Sequence, residues 1–90
     1  MSYLYILQSE KTGRYYIGST NNLKRRLHEH RSGKTKSTRY LLPIRIAYWK
    51  EYPSDAEARA AERLLKNKKS RIIIQKIIEE GQISLKGPIV

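Results

Sequence analysis

The sequence predicts a small α+β domain in which a three-stranded antiparallel sheet is flanked by helices, and three observations point to it. Tyr3 to Leu7 and Tyr15 to Gly18 are rich in aromatic and β-branched residues and are separated by a polar, glycine-containing stretch, Gln8 to Arg14, which is the pattern of a hairpin. A third stretch, Ile44 to Trp49, alternates well enough for another strand. The segments between and after these strands carry leucine, alanine or isoleucine at helical spacing. Ninety residues suit one domain, since a single core usually needs on the order of 50 residues or more. We expect that domain over residues 1–81, with 82–90, around Gly87 and Pro88, as a loosely held tail. A domain this small hides only about 60% of its unfolded surface, so a large internal active-site cavity is not expected.

Each helix has its own start and stop. Asn22 to Arg31 opens on a good N-cap type, spaces Leu23 and Leu27 four apart, and ends near Ser32 and Gly33. Lys34 to Pro43 has no sustained period and reads as a basic loop. Ser54 and Glu57 form an S-x-x-E capping box, which starts a second helix running to Lys66 or Asn67. Its expected apolar stripe is Ala56, Ala60, Ala61, Leu64 and Leu65. Ser70 caps a third helix whose buried side would be Ile72, Ile73, Ile74, Ile77 and Ile78, and Gly81 ends it. The isoleucine density alone also permits a strand there.

Charge bounds the partner. Nineteen Lys and Arg against eight Asp and Glu leave +11, far more than solubility requires, so the partner should be polyanionic. Lys24 to Arg45 carries +7 and Arg59 to Lys76 carries +6, while the remainder is slightly acidic. Two basic segments of this kind form either two patches or one continuous surface. No apolar run approaches the length of a membrane span, and the five apolar residues near the N-terminus are too few for a signal peptide, so a cytoplasmic chain is expected. The absence of cysteine excludes disulfides, thiolate zinc sites and cysteine nucleophiles.

Several residues are candidates for chemistry. Arg26 and His30 lie four apart on one helical face, near the side that Leu23 and Leu27 bury, although spacing alone favours a solvated basic face. His28 should point elsewhere. Tyr5 and Tyr16, on the two hairpin strands, could meet across the sheet, or could be ordinary core tyrosines. Glu62 is the only carboxylate between Arg59 and Lys76. It serves either in helical ion pairs with Arg59 and Lys66 or as the single protein ligand of a divalent cation beside a phosphate.

These residues, in this order, resemble the GIY-YIG nuclease family, in particular its small stand-alone members related to the nuclease domain of the bacterial excision-repair incision subunit. Tyr3-Leu4-Tyr5 stands where the family has GIY, and Tyr16-Ile17-Gly18 is an intact YIG. Ser19 to His30 then resembles the family's GS-x-x-N-L-x-x-R-L-x-x-H run, and Ala58 to Lys66 resembles the segment carrying its metal-binding glutamate. The resemblance implies a divalent-metal-dependent endonuclease hydrolysing DNA phosphodiester bonds, with Mg2+ or Mn2+ and no small-molecule cofactor, in a setting such as DNA repair or recombination. It implies that Tyr5 and Tyr16 line the site, Arg26 holds the scissile phosphate, His30 assists proton transfer and Glu62 binds the metal. Lys24, Arg25, Arg31, Lys34, Lys36, Arg39, Lys66 and Lys69 would hold flanking phosphates, with little base-specific readout. Two departures stand out: Tyr3 replaces the glycine of GIY, and no asparagine follows Glu62 at the spacing some relatives show. Larger relatives carry a separate targeting domain, so specificity here would come from DNA structure, from a protein partner or from nothing strong. The competing readings are a nucleic-acid-binding module on the same fold without turnover and, from charge alone, an RNA-associated protein. Membrane-surface binding is the weakest, for want of an apolar face rich in Trp or Phe.

Overall fold

The computed structural model describes residues 1–68 and 71–81. The expected cap Ser70, Lys69 and the expected tail lie outside them. The elements are β1 (Ser2–Ser9), β2 (Tyr15–Thr20), α1 (Leu23–Arg31), β3 (Ile44–Tyr52), α2 (Asp55–Lys68) and α3 (Arg71–Glu80). The sheet is three-stranded with order β2-β1-β3, and both neighbours run antiparallel to β1. The α+β class and the three antiparallel strands are therefore as the sequence predicts.

The hairpin turn is held by Ser9, whose Oγ accepts from the backbone N–H groups of Lys11 and Thr12 at 3.1 and 3.0 Å. Gly13 follows at φ +80°, a left-handed conformation that disfavours any side chain. Beyond the turn, strand alternation sends the side chains of β1 to two faces. Leu4 and Ile6 pack with Ala58, Ala61 and Leu65 of α2 and with Ile74 and Ile77 of α3. Tyr5 and Leu7 face the other way, toward Leu23 and Leu27 of α1 and toward Leu41 and Ile44. The molecule is thus a sheet with helices on both faces, and each fully buried Leu or Ile contributes roughly 1.5–3 kcal/mol.

In β3, Ile6 pairs with Tyr48 but Leu7 pairs with Ile46, so Ala47 is an extra residue, a bulge. The bulge reverses the alternation. Ile44 and Ile46 face α1, whereas Tyr48 and Tyr52 face α2 and α3.

Three expectations need correction. In α2 the buried residues are Ala58, Ala61 and Leu65, while Ala56 and Ala60 are exposed and Leu64 is half-buried. The capping box fixes where the helix starts, and the sheet then meets the face that begins at Ala58. In α3 only Ile74 and Ile77 are buried. Ile72 is 76% exposed and Ile73 37%, because a helix can turn only one stripe toward the core. The segment expected as a plain basic loop contains a 3₁₀ turn, Arg39–Leu41, and buries Thr38 and Leu41 against the α1 face.

Candidate active site

The site begins at Gly18, which stands directly opposite Tyr5 in the ladder. The Tyr5 phenol lies across the Gly18 backbone so closely that a Cβ on residue 18 would fall 2.5 Å from its oxygen and 2.6 Å from Cζ. Real Cβ atoms essentially never come under 3.0 Å, so glycine here is required by the close approach of the ring.

The Tyr5 oxygen is 3.0 Å from His30 Nε2. His30 lies in the last turn of α1, is fully buried, and takes the edges of two tyrosine rings, Tyr5 at 5.7 Å and Tyr16 at 5.4 Å between centroids. Its other nitrogen, Nδ1, is 2.7 Å from Thr38 Oγ1. The Thr38 hydroxyl is 3.5 Å from the Thr35 carbonyl, to which it can only donate. In the tautomer whose Nδ1–H donates to Thr38, Nε2 is left to accept the Tyr5 hydroxyl proton. A chain of three buried side chains thus engages both imidazole nitrogens.

Arg26, one turn before His30, lies beside the Tyr5 phenol and acts on it electrostatically. Its Nη1 donates to Glu29 Oε1 at 2.9 Å. Tyr5 and Glu29 raise the guanidinium further above its usual value, so Arg26 keeps its charge. The Glu29 carboxyl is held below the usual range by Arg26. Burial pushes the Tyr5 phenol above its ordinary 10.0, an effect that Arg26 only partly offsets. Burial, helped by the Arg26 charge, holds His30 below its ordinary 6.5. At neutral pH the pair is therefore a phenol beside a neutral imidazole.

Glu62 comes from α2, on the opposite face of the sheet. The Ser19 hydroxyl donates to its Oε1 at 2.5 Å, and Lys66 Nζ lies 2.7 Å from its Oε2. The Glu62 charge is the smallest of the named influences that raise the Tyr5 phenol, and β2, which lies between them, is an edge strand. Among the described residues no group of three His, Cys, Asp or Glu could hold a metal. What is present is a carboxylate with the Ser19 hydroxyl on one oxygen and the Lys66 ammonium on the other. A hard divalent cation could be held through this one carboxylate only with Lys66 displaced, waters and phosphate oxygens filling the remaining positions.

The structure thus brings Tyr5, Tyr16, Arg26 and His30 together and places Glu62 on the far side of the edge strand. A solvated basic face is excluded for His30, because α1 turns it inward along the Leu23 and Leu27 side. Tyr5 and Tyr16 share a face without standing opposite each other, Tyr16 pairing with Leu7, so they meet through the His30 ring. His28 is exposed. Lys24, Arg25, Arg31, Lys34, Lys36 and Arg39 are exposed on the α1 side, with Arg39 Nε donating to the Gly33 carbonyl at 3.0 Å. The two basic segments therefore flank opposite faces of the sheet. Sequence reasoning missed Thr38, which sits in a stretch with no periodicity to mark it. It also missed Ser19, which counting by twos along β2 from Ile17 would have placed on the α2 face.

The hairpin and first helix of this small α+β domain pool two tyrosines, an arginine and a buried histidine in one cluster. The GIY-YIG catalytic domain pattern matches residues 1–77, and the chain belongs to that family of nucleases. It is 46% identical over 69 residues to a UPF0213 protein of Streptococcus pneumoniae serotype 4 (strain ATCC BAA-334 / TIGR4), covering 76% of this chain and 69% of that one. It is 42% identical over 72 residues to UPF0213 protein SpyM50708 of Streptococcus pyogenes serotype M5 (strain Manfredo), covering 78% and 76%. The fold is similar to the solution NMR structure of the UPF0213 protein BH0048 from Bacillus halodurans, at TM-score 0.57 and 33% identity over 98% of this chain and 89% of that one. No helix among the described residues is long and apolar enough to cross a membrane.

Proposed function

We propose that this domain is a divalent-metal-dependent endonuclease that hydrolyses DNA phosphodiester bonds. The observation that carries the reading is the buried chain Thr38, His30, Tyr5, with the Arg26 charge beside the same phenol. A protonated phenol cannot act as a base, so a tyrosine mechanism needs an acceptor for the hydroxyl proton, and His30 Nε2 lies 3.0 Å away. Burial opposes that transfer from both sides, and the charge of the bound metal would have to offset it. The Tyr5 proton passes to His30 Nε2, the phenolate oxygen takes a proton from water, and that water oxygen attacks phosphorus. The bond to the leaving oxygen breaks, a solvent proton completes the alcohol, and His30 gives its proton back to solvent, which restores the neutral pair. Arg26, fixed by Glu29, faces the negative charge that grows on the attacked phosphate. Glu62, with Ser19 beside it, would hold Mg2+ or Mn2+, which when bound supplies further charge stabilisation at the phosphate.

The test is cleavage of end-labelled single-stranded, duplex, nicked, flapped and branched DNA with either metal. Wild type should cut, and Tyr5→Phe and Glu62→Ala should bind DNA without cutting. One ion pair favours a second reading. The ammonium of Lys66 already neutralises Glu62, as it would in a binding module that has no metal. Wild type that binds every substrate and cuts none in either metal would establish that module instead.

A further inference from the structure

We propose that Trp49 and Tyr3 form a stacking subsite for one unpaired nucleobase next to the scissile phosphate, an inference that takes the position of that phosphate from the nuclease reading above. Trp49 is the chain's single tryptophan and is 53% exposed. Neither Trp49 nor Tyr3 belongs to either core cluster. Their rings pack edge to face, 6.0 Å between centroids at 63°, and the Tyr3 hydroxyl reaches Glu51 at 3.5 Å. Beside them lies an open groove of about 500 Å3, lined also by Leu23, Lys24, Leu27 and Ile46.

Register ties this groove to the candidate active site. Gly18, Tyr5 and Trp49 are consecutive partners straight across the sheet, so Trp49 is one strand spacing, about 4.8 Å, from Tyr5 on the same face. Tyr3 is two residues along β1 from Tyr5, again on that face. A nucleotide whose phosphate sits between Arg26 and Tyr5 therefore has the Trp49 ring within reach of its own or its neighbour's base. A rigid aromatic face with a lysine at its rim is the arrangement that holds bases without reading their sequence. The charge of the chain selects the occupant: at +11, a second copy is repelled and a polyanionic strand is attracted. The subsite also gives a role to Tyr3, the residue that departs from GIY.

Trp49 reports on its own occupancy. Metal-free protein titrated with a ten-nucleotide thymidylate strand should show quenched tryptophan fluorescence. A strand of equal length and charge with abasic sugars should bind more weakly and quench little. Trp49→Ala should lose on the order of fivefold to a hundredfold in affinity for the thymidylate strand, while its affinity for the abasic strand is unchanged and Trp49→Phe retains most of the binding. Equal quenching by both strands, or Trp49→Ala binding thymidylate like wild type, overturns the subsite. Should Trp49→Ala not fold, the wild-type comparison of the two strands decides alone. Base-dependent quenching in a protein that cuts no DNA would leave the subsite standing and remove the nuclease reading. Cleavage without base-dependent quenching would do the reverse.

Discussion

Gly18 and Thr38 act on the same hydroxyl from opposite ends. Gly18→Ala places a methyl 2.5 Å from the Tyr5 oxygen, and the ring cannot retreat because it is packed with Leu7, Leu41 and Ile44. Overpacking of this kind costs about 1–3 kcal/mol, so the urea midpoint should fall and cleavage should fall with it. Thr38→Val keeps the shape but leaves the Nδ1–H of a fully buried imidazole without its acceptor, at a cost of about 1–3 kcal/mol. Nitrogen chemical shifts of His30 should show the tautomer fixed in wild type and in Thr38→Ser but mixed in Thr38→Val. His30 also sets a pH dependence. In the unfolded chain the imidazole takes up its proton near 6.5, and in the fold only at lower pH. In the window below 6.5 the unfolded state therefore binds more protons, and stability falls as pH falls; above 6.5 the contribution is complete. Denaturation midpoints measured about one unit either side of 6.5 should differ in wild type and converge in His30→Gln, once background carboxylate effects common to both are subtracted.

At the scale of elements, α1 matters most, because nine residues deliver both Arg26 and His30. Its first turn contains no acid, so the start depends on Asn22, whose side chain accepts from the Arg25 N–H at 3.0 Å. Asn22→Ala should cost about 1 kcal/mol and speed amide exchange in that turn, whereas Asn22→Asp keeps the cap. This cap was legible in the sequence, as were the hairpin and the Ser54 start of α2, because each is a local device whose chemistry lies within four residues. The Arg26 and His30 spacing was legible too, but not that the face would close over His30, since burial is decided by Tyr5, Tyr16 and Thr38 from three other segments. The bulge at Ala47 was illegible for a related reason: Ile44 to Trp49 alternates acceptably in either register, and only pairing with β1 reveals the extra residue. Ile72 and Ile73 misled because isoleucine reports hydrophobicity without saying which side of α3 the sheet will meet. Lys66 links the element to the reaction. Lys66→Met removes the ammonium 2.7 Å from Glu62, so Mn2+ titrations of the proposed site should give tighter binding than in wild type, and unchanged affinity would show that Lys66 does not compete for the carboxylate.

The whole molecule presents its charge on two opposed faces, and a nucleic acid strand cannot lie against both unless it wraps the β2 edge. Arg26, the groove at Trp49 and the exposed cations Lys34 and Lys36 all belong to the α1 side. Arg63 and Lys68 stand exposed on α2, behind the sheet. Binding driven by counterion release weakens with salt in proportion to the phosphates neutralised, with a slope of about −0.7 per neutralised phosphate on a single strand. Replacing Lys34 and Lys36 by alanine should therefore flatten the plot of log affinity against log salt by about 0.7 for each phosphate no longer neutralised, and equally for every strand sequence. Trp49→Ala should lower the affinity without changing that slope, because a stacked base releases no counterions. Alanine at Arg63 and Lys68 should leave the plot unchanged if the strand stays on the α1 face. A comparable flattening from the α2 pair would mean that the strand crosses the β2 edge between Ser19 and Glu62, and both basic segments would then act as one track.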